Sequence, residues 1–165
     1  MTRTGVTLQK GKLETWLSES LWRKVKASMP IPCVDVILEN TQREILLGWR
    51  LITPYRNVWA LPGGRIRYRE DLIDASKRIL EGYHLSARAL CLVGVFPVNF
   101  LTRSDISICL ASKDYSGKPH HDGFEFSRFK WSQELPARLG ANYGRMILKW
   151  RNMSRHPELI EFGRI

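Results

Sequence analysis

Long apolar runs are missing from this sequence. No stretch nears eighteen apolar residues, so no transmembrane helix is expected. The opening MTRTGVTLQKGKLE lacks the apolar centre of a secretory signal, and a cytoplasmic location with no membrane partner is the expectation. Cysteine is scarce. Cys33, Cys91 and Cys109 are odd in number, far apart and set in apolar surroundings. That pattern excludes a disulfide framework and any metal-ligand spacing, and predicts small buried hydrophobes. Acidic residues are the other shortage. Sixteen Asp and Glu face twenty-six Lys and Arg, a formal net charge of +10, which favours anionic partners: nucleotides, nucleic acid or an acidic surface.

What is present reads as globular, at 44% apolar and 25% charged residues. With no repeat, low-complexity stretch or linker, residues 1–165 are expected to form a single domain. It would comprise an N-terminal amphipathic extension (1–30), a core (31–153) and a tail (154–165). In residues 13–28, Leu13, Trp16, Leu17, Leu21 and Val25 recur at helical spacing, and the prolines of MPIP end the pattern. This face predicts packing on the domain or a partner subunit, with a membrane-surface helix as the alternative. CVDVILEN reads as a strand, TQRE as a turn and ILLGWRLI as its hairpin mate. VWALPGG reads as a short strand entering a glycine turn, and residues 70–81 as a helix. ALCLVGVFPVNF and DISICLAS are further strands, KDYSGKPHHDG is a polar loop, and FEFSRFKWS alternates like an edge strand. A last helix is expected from Asn142, placed as its cap, to about Met153. The order of elements predicts an α/β fold, a mixed sheet between helices.

One spacing carries more information: Gly64, five residues, Glu70, seven residues, Arg78. It resembles the opening of the Nudix box, G-x5-E-x7-R-E-U-x-E-E-x-G-U, with U a bulky aliphatic. The surrounding IPCVDVILENTQREILLGWR, VWALPGGR and LGANYGRMIL resemble the GDP-mannose mannosyl hydrolase branch of the Nudix hydrolases, from about Trp16 to Trp150. The resemblance implies a Nudix fold and a hydrolase of a nucleoside diphosphate linked to another group, such as the nucleotide sugar GDP-mannose. It also implies Mg2+ or Mn2+ as cofactor and a homodimer. Glu70 and Arg78 correspond to the pair that locks loop to helix in the family. Family enzymes hold metal with carboxylates one, four and five residues after the arginine. Here those positions are Ile79, Gly82 and Tyr83, a departure that makes the box degenerate.

Several residues become candidates for the chemistry. Gly63 and Gly64 would let backbone approach phosphate or metal without a side chain in the way. Glu81 is the one nearby carboxylate that could join Gly64 at a metal, although it comes too early for the usual metal face. It also belongs to a stripe with Glu70, Asp74 and Arg78 that suits a surface ion-pair ladder, with Lys77 as a further partner. The resemblance assigns Arg50 and Arg65 to the diphosphate, which guanidinium forks suit. Arg65 would also stabilise charge on the leaving group. Arg56, Arg67 and Arg69 are neighbours in sequence. The branch's general base is a histidine, for which His121 is the match, beside His120 and Asp122, with Glu125 as second candidate. Trp59 and Tyr55 could stack on a base or sugar, while Trp59, Trp131 and Trp150 also suit core packing.

Three functions stand at this stage. A metal-assisted hydrolase would use Arg50 and Arg65 on the diphosphate and His121 or Glu125 on water. A binding module would hold a nucleotide or RNA without cutting it, as the missing carboxylates and the charge suggest, although no RNA-binding motif is present. A partner-binding protein would rest on the N-terminal helix alone.

Overall fold

The computed structural model describes residues 17–100, 102–140 and 142–156. Along the chain lie α1 (Glu19–Ser28), β1 (Ile31–Leu38), β2 (Ile45–Arg50), β3 (Trp59–Ala60), β4 (Gly63–Arg65) and α2 (Leu72–Glu81). β5 (Leu85–Ala87), β6 (Cys91–Asn99), β7 (Ser104–Ser112), β8 (Tyr115–Gly117), β9 (Phe126–Ser132) and α3 (Tyr143–Met153) follow. A mixed sheet runs in the order β4-β1-β7-β6, with β1 parallel to β7 and the other pairs antiparallel. A second, antiparallel sheet runs β3-β2-β9, and β5 and β8 form a small ribbon.

Period two on β1 divides its side chains between two cores. Val34, Val36 and Leu38 pack with Leu46, Phe126 and the α2 residues Ala75, Ile79 and Leu80. Ile37 faces the other way, with Ile45, Leu47, Cys109 and the α3 residues Met146, Ile147 and Trp150. The β layer is thus covered by α2 on one side and α3 on the other, the mixed sheet between helices that the order of elements predicts. Trp150, 2% exposed, is anchored through Nε1, which donates to buried Glu39 at 2.7 Å. Lys113 balances that carboxylate at 3.3 Å.

Several expectations need correcting. β2 is not the hairpin mate of β1. It is the central strand of the other sheet, and a single bridge, Glu39 to Ile45, joins the two segments. Residues Ile45–Gly48 are buried throughout, as suits a strand covered on both faces. Gly63 and Gly64 lie in β4, paired with Asp35 and Val34, rather than in a turn. The polar loop after β7 contains β8, whose mate β5 went unpredicted. The 70–81 helix starts at Leu72, with Asp71 as N-cap accepting from Asp74 N at 2.8 Å. Asn142 occupies the N-cap position of α3 but makes no capping bond; its side chain donates to Pro97 O at 2.6 Å.

Leu13 and Trp16 lie outside the described residues. The remaining helix, α1, is capped by Ser18 and has no buried residue. Leu17 and Leu21 are exposed, and Trp22 carries the Arg65 guanidinium 4.6 Å from its ring centre. Among the described residues, no helix is long and apolar enough to cross a membrane.

Candidate functional site

β2 ends in Arg50, and β9 starts just after Glu125. Their guanidinium and carboxylate form an ion pair. Arg50 Nε also donates to Pro54 O at 3.0 Å. Glu125 is set by its neighbour Asp122, whose Oδ1 accepts from the amides of Phe124, Glu125 and Phe126 at 3.1, 2.9 and 3.0 Å. The other oxygen of Glu125 accepts from the Tyr83 hydroxyl at 3.2 Å. Burial, reinforced by the nearby charges of Glu125 and Asp122, pushes the Tyr83 phenol far up. It therefore remains a donor. Phe126 and Phe129 hold its ring edge-on at 5.3 and 5.2 Å.

A second carboxylate stands close by. Asp35, 8% exposed, accepts from the Ser107 hydroxyl on β7. Burial raises its pKa from 3.8 to about 6 against the lowering effect of Ser107 and Arg50; Glu125 and Asp105 add to the rise. Tyr143, at the start of α3, is half-buried, and its phenol is pushed well up by desolvation, then by Asp35. Tyr55, next to the Pro54 that holds Arg50, packs on Phe100 at 4.9 Å, and Arg103 lies 5.0 Å over that ring. Arg103 Nη2 donates to buried Asp105 Oδ2 at 2.7 Å, leaving Arg103 Nε and Asp105 Oδ1 buried without partners. Burial pushes the Cys33 thiol up to about 12, with Asp105 and Asp35 contributing, so it is no ready nucleophile.

The Gly64–Arg78 segment is held by its outer pair. Arg78 Nε and Nη2 donate to the two oxygens of Glu70 at 2.6 and 2.8 Å, and Nη2 also donates to Arg65 O at 2.9 Å. Glu70 Oε2 accepts from Arg67 N at 2.8 Å as well. Ile79 and Tyr83, each 6% exposed, belong to the α2-side core. Glu81 is exposed at the end of α2. Gly64 lies beside Ile79, whose Cγ1 is 3.5 Å from where a Cβ would stand.

The other candidates lie apart. Arg65 is exposed and reaches over Trp22 rather than joining Arg50. His121 is exposed and ends a stack in which His84 and His120 are 4.8 Å apart and His120 and His121 are 5.6 Å apart. It lines a shallow pocket of about 320 Å³ with Arg128, Lys130 and Trp131, bordered by neither Arg50, Glu125 nor Asp35. Trp59 is half-buried, edge-on to Trp49 at 5.2 Å, with the Lys130 ammonium 4.3 Å above it. Of the sequence candidates, Arg50 and Glu125 come together, with Tyr55 adjoining the Pro54 that holds Arg50. Sequence reasoning passed over Asp35 and Ser107, and named Tyr83 only for the carboxylate it replaces. The available signal for Asp35 was a charged residue inside the apolar run CVDVILEN.

A mixed and an antiparallel sheet clamped between two helices, with an Arg–Glu fork tying the loop after β4 to α2, define the class of the Nudix fold. Comparison with known proteins makes the assignment specific. The NUDIX domain family matches residues 29–137, more than half the chain. The chain belongs to the NUDIX domain family. It is similar in structure to a MutT NUDIX hydrolase from Burkholderia pseudomallei, with TM-score 0.69 and 19% identity, over 73% of this chain and 98% of that one. It is also similar to the NUDIX domain of Shewanella oneidensis NrtR, solved with ADP ribose. There the TM-score is 0.65 and the identity 18%, over 84% of this chain and 99% of that one. Identities this low speak for the fold alone. In sequence it is 32% identical to the low-salt glycan biosynthesis protein Agl8 of Haloferax volcanii over 73 residues, 44% of this chain and 46% of that protein. The chain thus spans about half the length of that curated relative.

Nudix hydrolases generally use a divalent metal such as Mg2+ or Mn2+. The residues here do not fit such an ion. Among the described residues, no three His, Cys, Asp or Glu side chains converge as metal ligands. Glu125 has both oxygens engaged, and Asp35 is buried against Ser107. Glu81 and Gly64, the sequence candidates, supply one exposed carboxylate and a strand backbone between them.

Proposed function

We propose that the chain hydrolyses a nucleoside diphosphate linked to a second group, and that its substrates are nucleotide sugars such as GDP-mannose. The observation that carries this reading is Arg50, anchored by Glu125 and Pro54 O beside Asp35. A guanidinium has five N–H donors, and these two bonds leave three for phosphate oxygens. The sugar is supported by the glycan-biosynthesis name of the relative from Haloferax volcanii. The nucleoside diphosphate is supported by the ADP ribose bound to the NrtR domain.

In this reading the diphosphate takes the donors of Arg50 that Glu125 and Pro54 O leave unused, and Glu125 keeps its hold on the guanidinium. Glu125, the assigned base, takes a proton from water through a lone pair that neither Arg50 nor Tyr83 engages. The water oxygen bonds to the anomeric carbon, and the bond from that carbon to the diphosphate oxygen breaks, its electron pair leaving with the diphosphate. The products are the free sugar and the nucleoside diphosphate. Tyr55, paired with Phe100, offers an aromatic surface for the base or sugar. Arg65 would meet a substrate only by leaving Trp22, and His121, the alternative base, only from the neighbouring pocket. Trp59 is read as packing.

A second reading, binding of a nucleotide or RNA without turnover, is favoured by one observation: buried Ile79 and Tyr83 stand where the resemblance puts carboxylates. Calorimetric titration with GDP-mannose separates the two. Reaction heat that persists past saturation and disappears in Glu125→Gln supports the hydrolase. Saturable heat alone supports the binding module.

A further inference from the structure

The face of α2 that should carry metal ligands has become hydrophobic core. Ile79 fills the space beside Gly64 and packs with Val34, Leu80 and Phe126. Tyr83 is wedged between two phenylalanine rings. An ion on this face would have to displace both side chains and then find carboxylates elsewhere. Glu81 is exposed to solvent, and Glu125 already accepts from Tyr83 and pairs with Arg50.

The same atoms show what stands there instead. Tyr83 occupies a ligand position of the box, and its hydroxyl holds the Glu125 carboxylate at 3.2 Å. Glu125, fixed in turn by three backbone amides through Asp122, holds Arg50. Pro54 O takes the guanidinium's Nε. The chain of contacts ends in a fixed, part-buried cation with three N–H donors unused, suited to the electrostatic task a divalent ion performs on a diphosphate. Such a cation is already oriented, so little ordering is left for the moment of binding.

We propose that this site handles its diphosphate without a divalent metal, the Tyr83–Glu125–Arg50 relay taking the metal's place. The diphosphate in this statement rests on the function proposed above; the lack of a metal site does not.

Two measurements on the full chain test it. In the first, free Mn2+ is followed by electron paramagnetic resonance as protein is added without nucleotide. The expected result is an undiminished Mn2+ signal at protein concentrations up to about 0.5 mM. Stoichiometric loss of signal overturns the proposal, whatever the substrate. In the second, GDP-mannose and ADP ribose are titrated by calorimetry in chelator and again in Mn2+. Affinity for whichever binds is expected to agree within twofold between the two conditions. It should fall at least tenfold in Arg50→Gln and in Arg50→Lys, the latter keeping the charge but losing the fork. Binding that requires Mn2+, or that survives both substitutions, overturns it. If neither compound binds in either condition, the functional reading and the role given to Arg50 fail together, while the Mn2+ signal still decides the metal site.

Discussion

At the scale of single residues, the two glycines of the Gly63–Gly64 pair do different work. Both lie in β4, yet a Cβ on Gly63 would collide with Asp35 Oδ1 and stand 3.0 Å from Val34 O. On Gly64 the nearest atoms would be the flexible end of Ile79, at 3.5 and 3.6 Å. Gly63→Ala is therefore expected to cost roughly 1–3 kcal/mol, as overpacking against fixed atoms does, while Gly64→Ala is nearly neutral. Thermal unfolding of the two variants decides it, and equal losses would refute the assignment. The glycine motif was legible in the sequence, but its reason was not. The space at Gly63 is taken by a carboxylate twenty-eight residues earlier, across a strand pairing that no local pattern announces.

At the scale of elements, the Glu70–Arg78 fork ties the loop after β4 to α2, and Arg78 reaches β4 itself through Arg65 O. Glu70→Gln keeps the shape but loses the ionised acceptor for two guanidinium donors and the Arg67 amide. The expected cost is about 1–2 kcal/mol, below that of a buried pair because both side chains are partly exposed. Amide exchange at Arg67 should accelerate. A variant as stable as the parent, with an unchanged Arg67 amide, would show that the fork is incidental.

Elements also mark where sequence reading succeeded and where it stopped. α2 and α3 were visible through their 3.6-residue stripes, and β6, β7 and β9 through their apolar or alternating runs. The pairing of β2 was not. TQRE between two apolar runs reads as a hairpin, and only the continuous burial of Ile45–Gly48 between two cores explains why β2 leaves β1 for the second sheet. At the site, Arg50 and Glu125 were each singled out, but their pairing spans 75 positions and has no local signature. Tyr83 was noticed for the carboxylate it is not; its hydroxyl on Glu125 belongs to the fold.

At the scale of the whole molecule, the pH dependence of stability is set by carboxylates that pull in opposite directions. Glu70 has its pKa lowered, first by its bonds to Arg78, so its contribution is present near neutral pH and lost as pH falls through its folded-state pKa. Asp35 has the opposite sign. Its folded-state value, about 6, lies above the ordinary 3.8 because burial penalises the charged form. Between those two values the folded protein binds more protons than the unfolded chain, so the stability tied to Asp35 is fully present below pH 3.8 and disappears as pH rises through about 6. The displacement corresponds to a loss on the order of 3 kcal/mol. Asp35→Asn removes the titration while leaving an oxygen for the Ser107 hydroxyl. Relative to the parent, it should therefore gain stability steadily from pH 4 to about pH 7 and then hold a constant difference. Urea unfolding of both proteins across that range measures this directly. Parallel profiles would mean that Asp35 titrates in the fold as it does in the unfolded chain, Ser107 and Arg50 offsetting the effect of burial.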